Sequence, residues 1–241
     1  MNARQATALG HHIAGLAESG APKRAYEQLA PVLAERTPFR LLCRVGEPVG
    51  AVSLPAANVF LRLVAAERTE GGWVVIGTVL GQQLGRDPAG AFARCRAFTI
   101  AADVWYGADI LGERVPGPAL VASFPASLSL LAPWREDESR WVRRMVGVAA
   151  HFWAKRSRGS ADLSEGAGAL LTFLEPMFEE WNMAAVKGVG WGLKTLGRHY
   201  PDLMVEWLPR QLDRRHRALM LRKALTYLSA EQRALATMGR S

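Results

Sequence analysis

Apolar residues recur at three- and four-residue spacing along nearly the whole chain, in segments of about 12 to 20 residues separated by short Gly, Pro, Asp and Ser breaks. That periodicity predicts helices near 4–18, 23–36, 55–67, 72–85, 88–101, 103–112, 117–131, 137–156, 163–180, 183–199, 201–213, 215–227 and 229–237. Start signals agree with several of these boundaries. Pro55 and Pro201 stand where a first helical turn tolerates a missing N–H. Ser229 followed by Gln232 has the spacing of a capping box. One stretch resists: residues 37–54 carry Pro38, Gly46, Pro48 and Gly50 among branched residues, and read as an extended loop with a short strand. Arg156-Ser157-Arg158-Gly159-Ser160 reads as a surface loop between helices.

Helix pairs recurring at roughly 35–45 residues point to an all-α, HEAT-like helical repeat solenoid. Each repeat of such an array buries its apolar face only on its neighbours, so residues 1–241 read as one superhelical domain. No βαβ alternation occurs. Gly188-Val189-Gly190-Trp191-Gly192 lies within a helical pattern and lacks the preceding strand of a dinucleotide fingerprint.

Composition narrows the classes. Hydrophobic residues make up 49% and charged residues 22%, an ordinary globular balance. No apolar run reaches the roughly 18 residues of a membrane span, and the N-terminus has no apolar signal region. Cys43 and Cys95 have no ligand spacing and read as reduced thiols, with no metal expected. A cytoplasmic protein is the expectation, in the bacterial cytoplasm or nucleoid.

Charge changes the picture most. Thirty Lys and Arg against 22 Asp and Glu give a net charge of +8 and a pI near 10.1. Residues 1–70 are close to neutral, with eight basic and six acidic side chains. Between Lys187 and Lys223 nine basic residues face only Asp202, Glu206 and Asp213. Such a concentration favours a phosphate-facing surface, with Arg214-Arg215-His216-Arg217 open also to the reading of a solvated charge run.

Three features rise above this background. Trp105 and Asp109 stand at i and i+4, so one helix face presents an indole beside a carboxylate, a pairing suited to holding a cation. Trp141-Val142-Arg143-Arg144 follows, with Arg144 placed 35 residues beyond Asp109. Lys187-Gly188-Val189-Gly190-Trp191-Gly192-Leu193-Lys194 then sets an aromatic among small residues, between two lysines. Packing is the expectation for Trp73, Trp134, Trp153, Trp181 and Trp207. His151, His199 and His216 form no base-and-nucleophile pattern.

The WxxxD of Trp105 and Asp109, the WxxR of Trp141 and Arg144, and the K-G-V-G-W-G-L segment, in that order, resemble the DNA alkylation repair family over roughly residues 72–235. The resemblance implies a HEAT-like monofunctional glycosylase that excises cationic N3- or N7-alkylated purines from duplex DNA. It would serve base-excision repair or self-resistance to a DNA-alkylating natural product. Asp109 would be the catalytic carboxylate, with Trp105 packed against the deoxyribose and backbone of the lesion nucleotide and Arg144 holding a phosphate near it. Trp191 would pack on the lesion nucleotide, with Lys187, Lys194, Arg143, Arg214, Arg215, Arg222 and Lys223 contacting DNA. Double-stranded DNA carrying alkylated bases would be the partner, with no cofactor, no membrane and no obligate protein partner, the protein acting as a monomer.

The chain departs from the pattern in its N-terminal third, where Phe39 to Gly50 replaces the usual Phe-x-Gly stretch. Residues Ser157 to Gly166 form an insertion, and Arg222-Lys223-Ala224-Leu225 lacks the family's Glu. Two other classes stay open: a non-catalytic binder of damaged or branched DNA, and a protein scaffold.

Overall fold

The computed structural model describes residues 1–238, and every regular element among them is helical. The chain divides into two compact units, Met1–Val115 and the part from Pro116 onward.

The first unit comprises α1 (Ala3–Glu18), α2 (Pro22–Ala34), α3 (Phe39–Gly50), α4 (Leu54–Ala66), α5 (Glu70–Gln83), α6 (Pro88–Ala102) and α7 (Trp105–Gly112). Odd-numbered helices pack on one another in order, as do α2, α4 and α6. That is the two-layer arrangement of a HEAT-like helical repeat, in which each pair buries its apolar stripe on the next. Phe60, Trp73, Ile76 and Leu80 are fully buried at its centre.

The second unit repeats the arrangement. It holds α8 (Pro116–Ala122), α9 (Phe124–Leu131), α10 (Arg140–Ser157), α11 (Ser164–Leu174), α12 (Met183–His199), α13 (Pro201–Trp207), α14 (Ala218–Ala224) and α15 (Ala230–Thr237). Here α8, α10, α12 and α14 stack in order on one side, and α11, α13 and α15 on the other. Phe178 meets Trp207 edge-on at 5.6 Å within the core. The Ser229 capping box forms as its spacing predicts, with both reciprocal hydrogen bonds present.

The segment 37–54 is a correction. It folds as α3, with Leu41, Leu42, Val45 and Val49 forming the buried stripe. Pro38 is extended and opens the helix, while Pro48 falls in its last turn. Gly46 and Gly50 are points of close approach rather than breakers. A Cβ at Gly46 would lie 3.0 Å from the Thr78 side chain, and one at Gly50 would collide with Gln82. The glycines let α3 lie close against α5.

Smaller corrections have local causes. The predicted helix 117–131 is divided at Ser123 into α8 and α9, because Pro125 sits in the first turn of the second helix. The predicted 201–213 ends at Trp207 and continues as a 3₁₀ turn, and the predicted 215–227 starts only at Ala218. The predicted loop after α10 is present, reversing through left-handed Arg158 (φ 53°) and Gly159 (φ 77°). No helix among the described residues is long and apolar enough to cross a membrane.

Candidate functional site

Two surfaces gather the chemistry, one in each unit. In the first, α6 stops at Asp103, whose left-handed backbone (φ 46°) turns the chain directly into α7. Arg68 secures that junction by donating to the Ala102 carbonyl at 3.0 Å. Helix α7 buries Gly107, Ala108, Ile110 and Leu111, so its remaining face looks outward. Gly107 is needed there, since a Cβ would lie 2.8 Å from Ala102 Cβ. On the outward face Trp105 is 57% exposed, braced edge-on by Tyr106 at 5.8 Å. Asp109 stands half-buried one turn further along the same face.

The second surface is built on the packing of α10 against α12. Gly147 lies against Gly188 and Gly192. A Cβ at Gly188 would sit 2.5 Å from the Arg144 carbonyl oxygen, and one at Gly192 2.7 Å from that of Gly147. With backbones this close, side chains flanking the crossing share one wall. Arg144, only 7% exposed, donates to the Ala184 carbonyl at 3.1 Å. It lines a cavity of about 500 Å³ with Lys187, Trp191, Lys194, Leu219, Arg222 and Lys223.

Five cations and an indole thus converge, with no carboxylate among the lining residues. Lys223 registers the crowding. Burial, and then the charges of Lys194, Arg222 and Lys187, hold its ammonium below the usual lysine range. A surface that destabilises its own positive charge in this way is relieved by binding an anion. A larger cavity, about 810 Å³, meets this one at Arg222 and is lined also by Arg214, Arg215, His216 and Arg233.

Trp191 is fixed from behind. His151, two turns beyond Arg144 on α10, stacks on the indole with centroids 3.8 Å apart. The Thr195 hydroxyl donates its single proton to the Trp191 carbonyl at 2.9 Å. It must therefore accept from His151 Nδ1, 2.7 Å away, which assigns that ring a proton on Nδ1. Burial first, then the charge of Lys155, pushes the His151 pKa down to about 4.

The sign of its linkage follows. Between about pH 4 and 6.5 the unfolded chain protonates this group and the folded one does not, so stability falls as pH drops through that window. His199, lowered in the same direction, adds to the slope. Thermal melts of the wild type should therefore lose Tm from pH 6.5 to 4, and His151→Gln should flatten part of that loss. An unchanged slope in the variant would remove His151 from the account.

Of the residues expected to contact DNA, Arg144, Lys187, Trp191, Lys194, Arg222 and Lys223 are brought together. Arg143 and Arg214 are engaged otherwise. Arg143 grips the Glu180 carboxylate (Nε–Oε2 2.6 Å) and the carbonyls of Asp137 and Glu138. Arg214 pairs with Glu175 at 2.7 Å and Glu179 at 3.7 Å. Arg215 lies over the Trp181 ring at 4.4 Å.

The expected packing role holds for Trp73, Trp134, Trp153 and Trp207, all buried, but Trp181 is 43% exposed. Tyr227, over which Lys194 and Arg198 both lie at 5.0 and 5.1 Å, is a member of the basic surface that no motif announced. Its signal was available in the i, i+4 spacing of the two cations. Among the described residues no group of three His, Cys, Asp or Glu side chains is placed to hold a metal ion.

The family profile described as DNA alkylation repair enzyme matches residues 56–228, which include both Trp motifs and the glycine-rich segment of α12. An alkylpurine DNA glycosylase of Pseudomonas fluorescens, AlkC, solved bound to DNA containing an abasic site analog, has a similar fold with a TM-score of 0.56 at 18% identity. The likeness covers 91% of this chain and 62% of that one, so this chain corresponds to under two thirds of the AlkC length. No curated protein matches the chain.

Proposed function

The chain belongs to the DNA alkylation repair enzyme family, and from that premise we propose that it hydrolyses the N-glycosidic bond of cationic N3- or N7-alkylpurines in duplex DNA. The observation that carries the reading is the cavity of Arg144, Lys187, Trp191, Lys194, Arg222 and Lys223, a concentration of cations around an aromatic with no carboxylate among its lining residues. Phosphodiesters are the anions that such a surface fits.

Chemistry falls to α7. An alkylpurine cation is already a good leaving group, so no general acid is required. The bond from C1′ to the ring nitrogen breaks with its electron pair passing to the base, which departs neutral. Positive charge then develops on the sugar, as in glycoside hydrolysis. Asp109 stabilises that charge and accepts the proton of the water that adds at C1′. Trp105 offers its π face to the same cation one helical turn away. No metal or organic cofactor takes part in this scheme.

The test is a duplex oligonucleotide carrying one N7-methylguanine, incubated with the protein and then treated with alkali to break abasic sites. Strand scission at the modified position is the expected result. The basic cavity alone would equally serve a non-catalytic binder of damaged DNA. Tight binding without scission, on this duplex and on one with a bulky N3-adenine adduct, would establish that reading instead.

A further inference from the structure

The exposed Trp181 stands on an unusually fixed piece of backbone. Its N–H and that of Asn182 both donate to Glu180 Oε1, at 3.0 and 2.8 Å, and Glu180 is itself held by Arg143. Arg217 Nε donates to the Trp181 carbonyl at 3.2 Å. Two guanidinium groups attend the ring, Arg217 at 4.2 Å and Arg215 at 4.4 Å from its centroid. Beside it Arg140 lies over Trp141 at 4.8 Å. A cavity of about 640 Å³ is lined by Arg140, Trp141, Trp181 and Arg217, together with Asn182, Met183 and Ala184. None of these is a carboxylate.

A guanidinium that lies over an indole keeps the N–H groups not already engaged for an acceptor. In Arg217, whose Nε is taken by the Trp181 carbonyl, these are the two terminal nitrogens, which can still hold a bidentate acceptor. Two such cations around one ring also repel each other, an arrangement that a dispersed anion relieves. We propose that Trp181, Arg215 and Arg217 form a phosphate clamp that grips the DNA backbone beside the cavity around Trp191, whose lining includes none of the three. This rests on the reading of the protein as DNA-binding and adds an anchoring point to it. The indole's task is to orient the guanidiniums, so removing an uncharged residue should weaken an electrostatic grip. Generic attraction to a basic surface does not predict that outcome.

Fluorescence anisotropy with an undamaged duplex, over a series of salt concentrations, tests it. Trp181→Ala should bind roughly tenfold more weakly at ~0.1 M salt, and its slope of log affinity against log salt should shrink by about 0.9 for each phosphate that is no longer neutralised. Trp181→Phe, which keeps an aromatic face, should restore the slope. Arg215→Ala should reproduce the defect and Arg215→Lys, lacking the planar fork, should restore it only in part. Because the bonds pinning this segment run through backbone and Glu180, the Ala variant should keep the wild-type melting curve, and only a variant that does so is scored. A folded Trp181→Ala protein with the wild-type salt slope would overturn the clamp while leaving excision of the lesion untouched. Absence of duplex binding in the wild type would instead overturn the DNA reading itself.

Discussion

Asp109→Asn is expected to slow excision of N7-methylguanine by about 10²- to 10³-fold under single-turnover conditions, while duplex affinity stays within about twofold. The magnitude follows from the charge that the carboxylate is asked to stabilise. Removing one preorganised electrostatic partner of a developing charge typically costs about 2.7–4 kcal/mol of transition-state stabilisation. Asn preserves the shape of the side chain and loses both the anion and the capacity to accept a proton from water. Asp109 is half-buried on the outward face of α7, whose inward face is made by Ala108, Ile110 and Leu111, so the exchange leaves the core as it is. Affinity should persist because the duplex is held mainly by cations that neutralise its phosphates, and the exchange removes none of them. A variant that excises at the wild-type rate would remove Asp109 from the chemistry. One that loses binding and rate together would make the residue a binding group.

The pattern along the chain foretold most helices because amphipathic periodicity reflects burial on a neighbouring helix, and this fold is made of such packing. It failed at α3 for a reason visible in Gly46 and Gly50. Glycine lowers helix propensity, yet where two helix backbones approach within reach of a Cβ it is the residue that fits, and tertiary packing decides. The candidate positions divide in a similar way. Trp105, Asp109 and Trp191 stand out in the sequence through their motifs. The fate of Arg143 was not, because its partner Glu180 lies 37 residues away and only folding brings the two together at 2.6 Å. Trp181 misled because an aromatic in a helical protein is more often core than surface. Its exposure depends on a backbone pinned by Glu180 and Arg217, which no local spacing encodes.

The glycine-rich segment of α12 supports the second prediction. Gly188→Ala is expected to lower the Tm by about 6–12 °C and to abolish tight duplex binding with it. A methyl at Gly188 would stand 2.5 Å from the Arg144 carbonyl oxygen and 2.6 Å from Arg144 Cγ. The first of these clashes is with backbone, so no change of rotamer relieves it and α10 must separate from α12. Overpacking of this kind costs about 3 kcal/mol at the upper end of the usual range, and for a chain of this size each kcal/mol is worth about 2–4 °C. Gly147→Ala should behave alike, since its Cβ would strike the Gly188 backbone. The matching control is Gly168→Ala in α11, where nothing lies within 4 Å of the added carbon. Relief of glycine's entropy cost should there stabilise by about 0.5–1 kcal/mol. Affinity separates the two meanings that the motif can carry. If these glycines serve only stability, Gly188→Ala assayed well below its lowered Tm should bind DNA as the wild type does. If they set the spacing that brings Arg144 and Trp191 to one wall, binding is lost while the helices remain folded, and the close approach of α10 and α12 becomes part of the recognition surface.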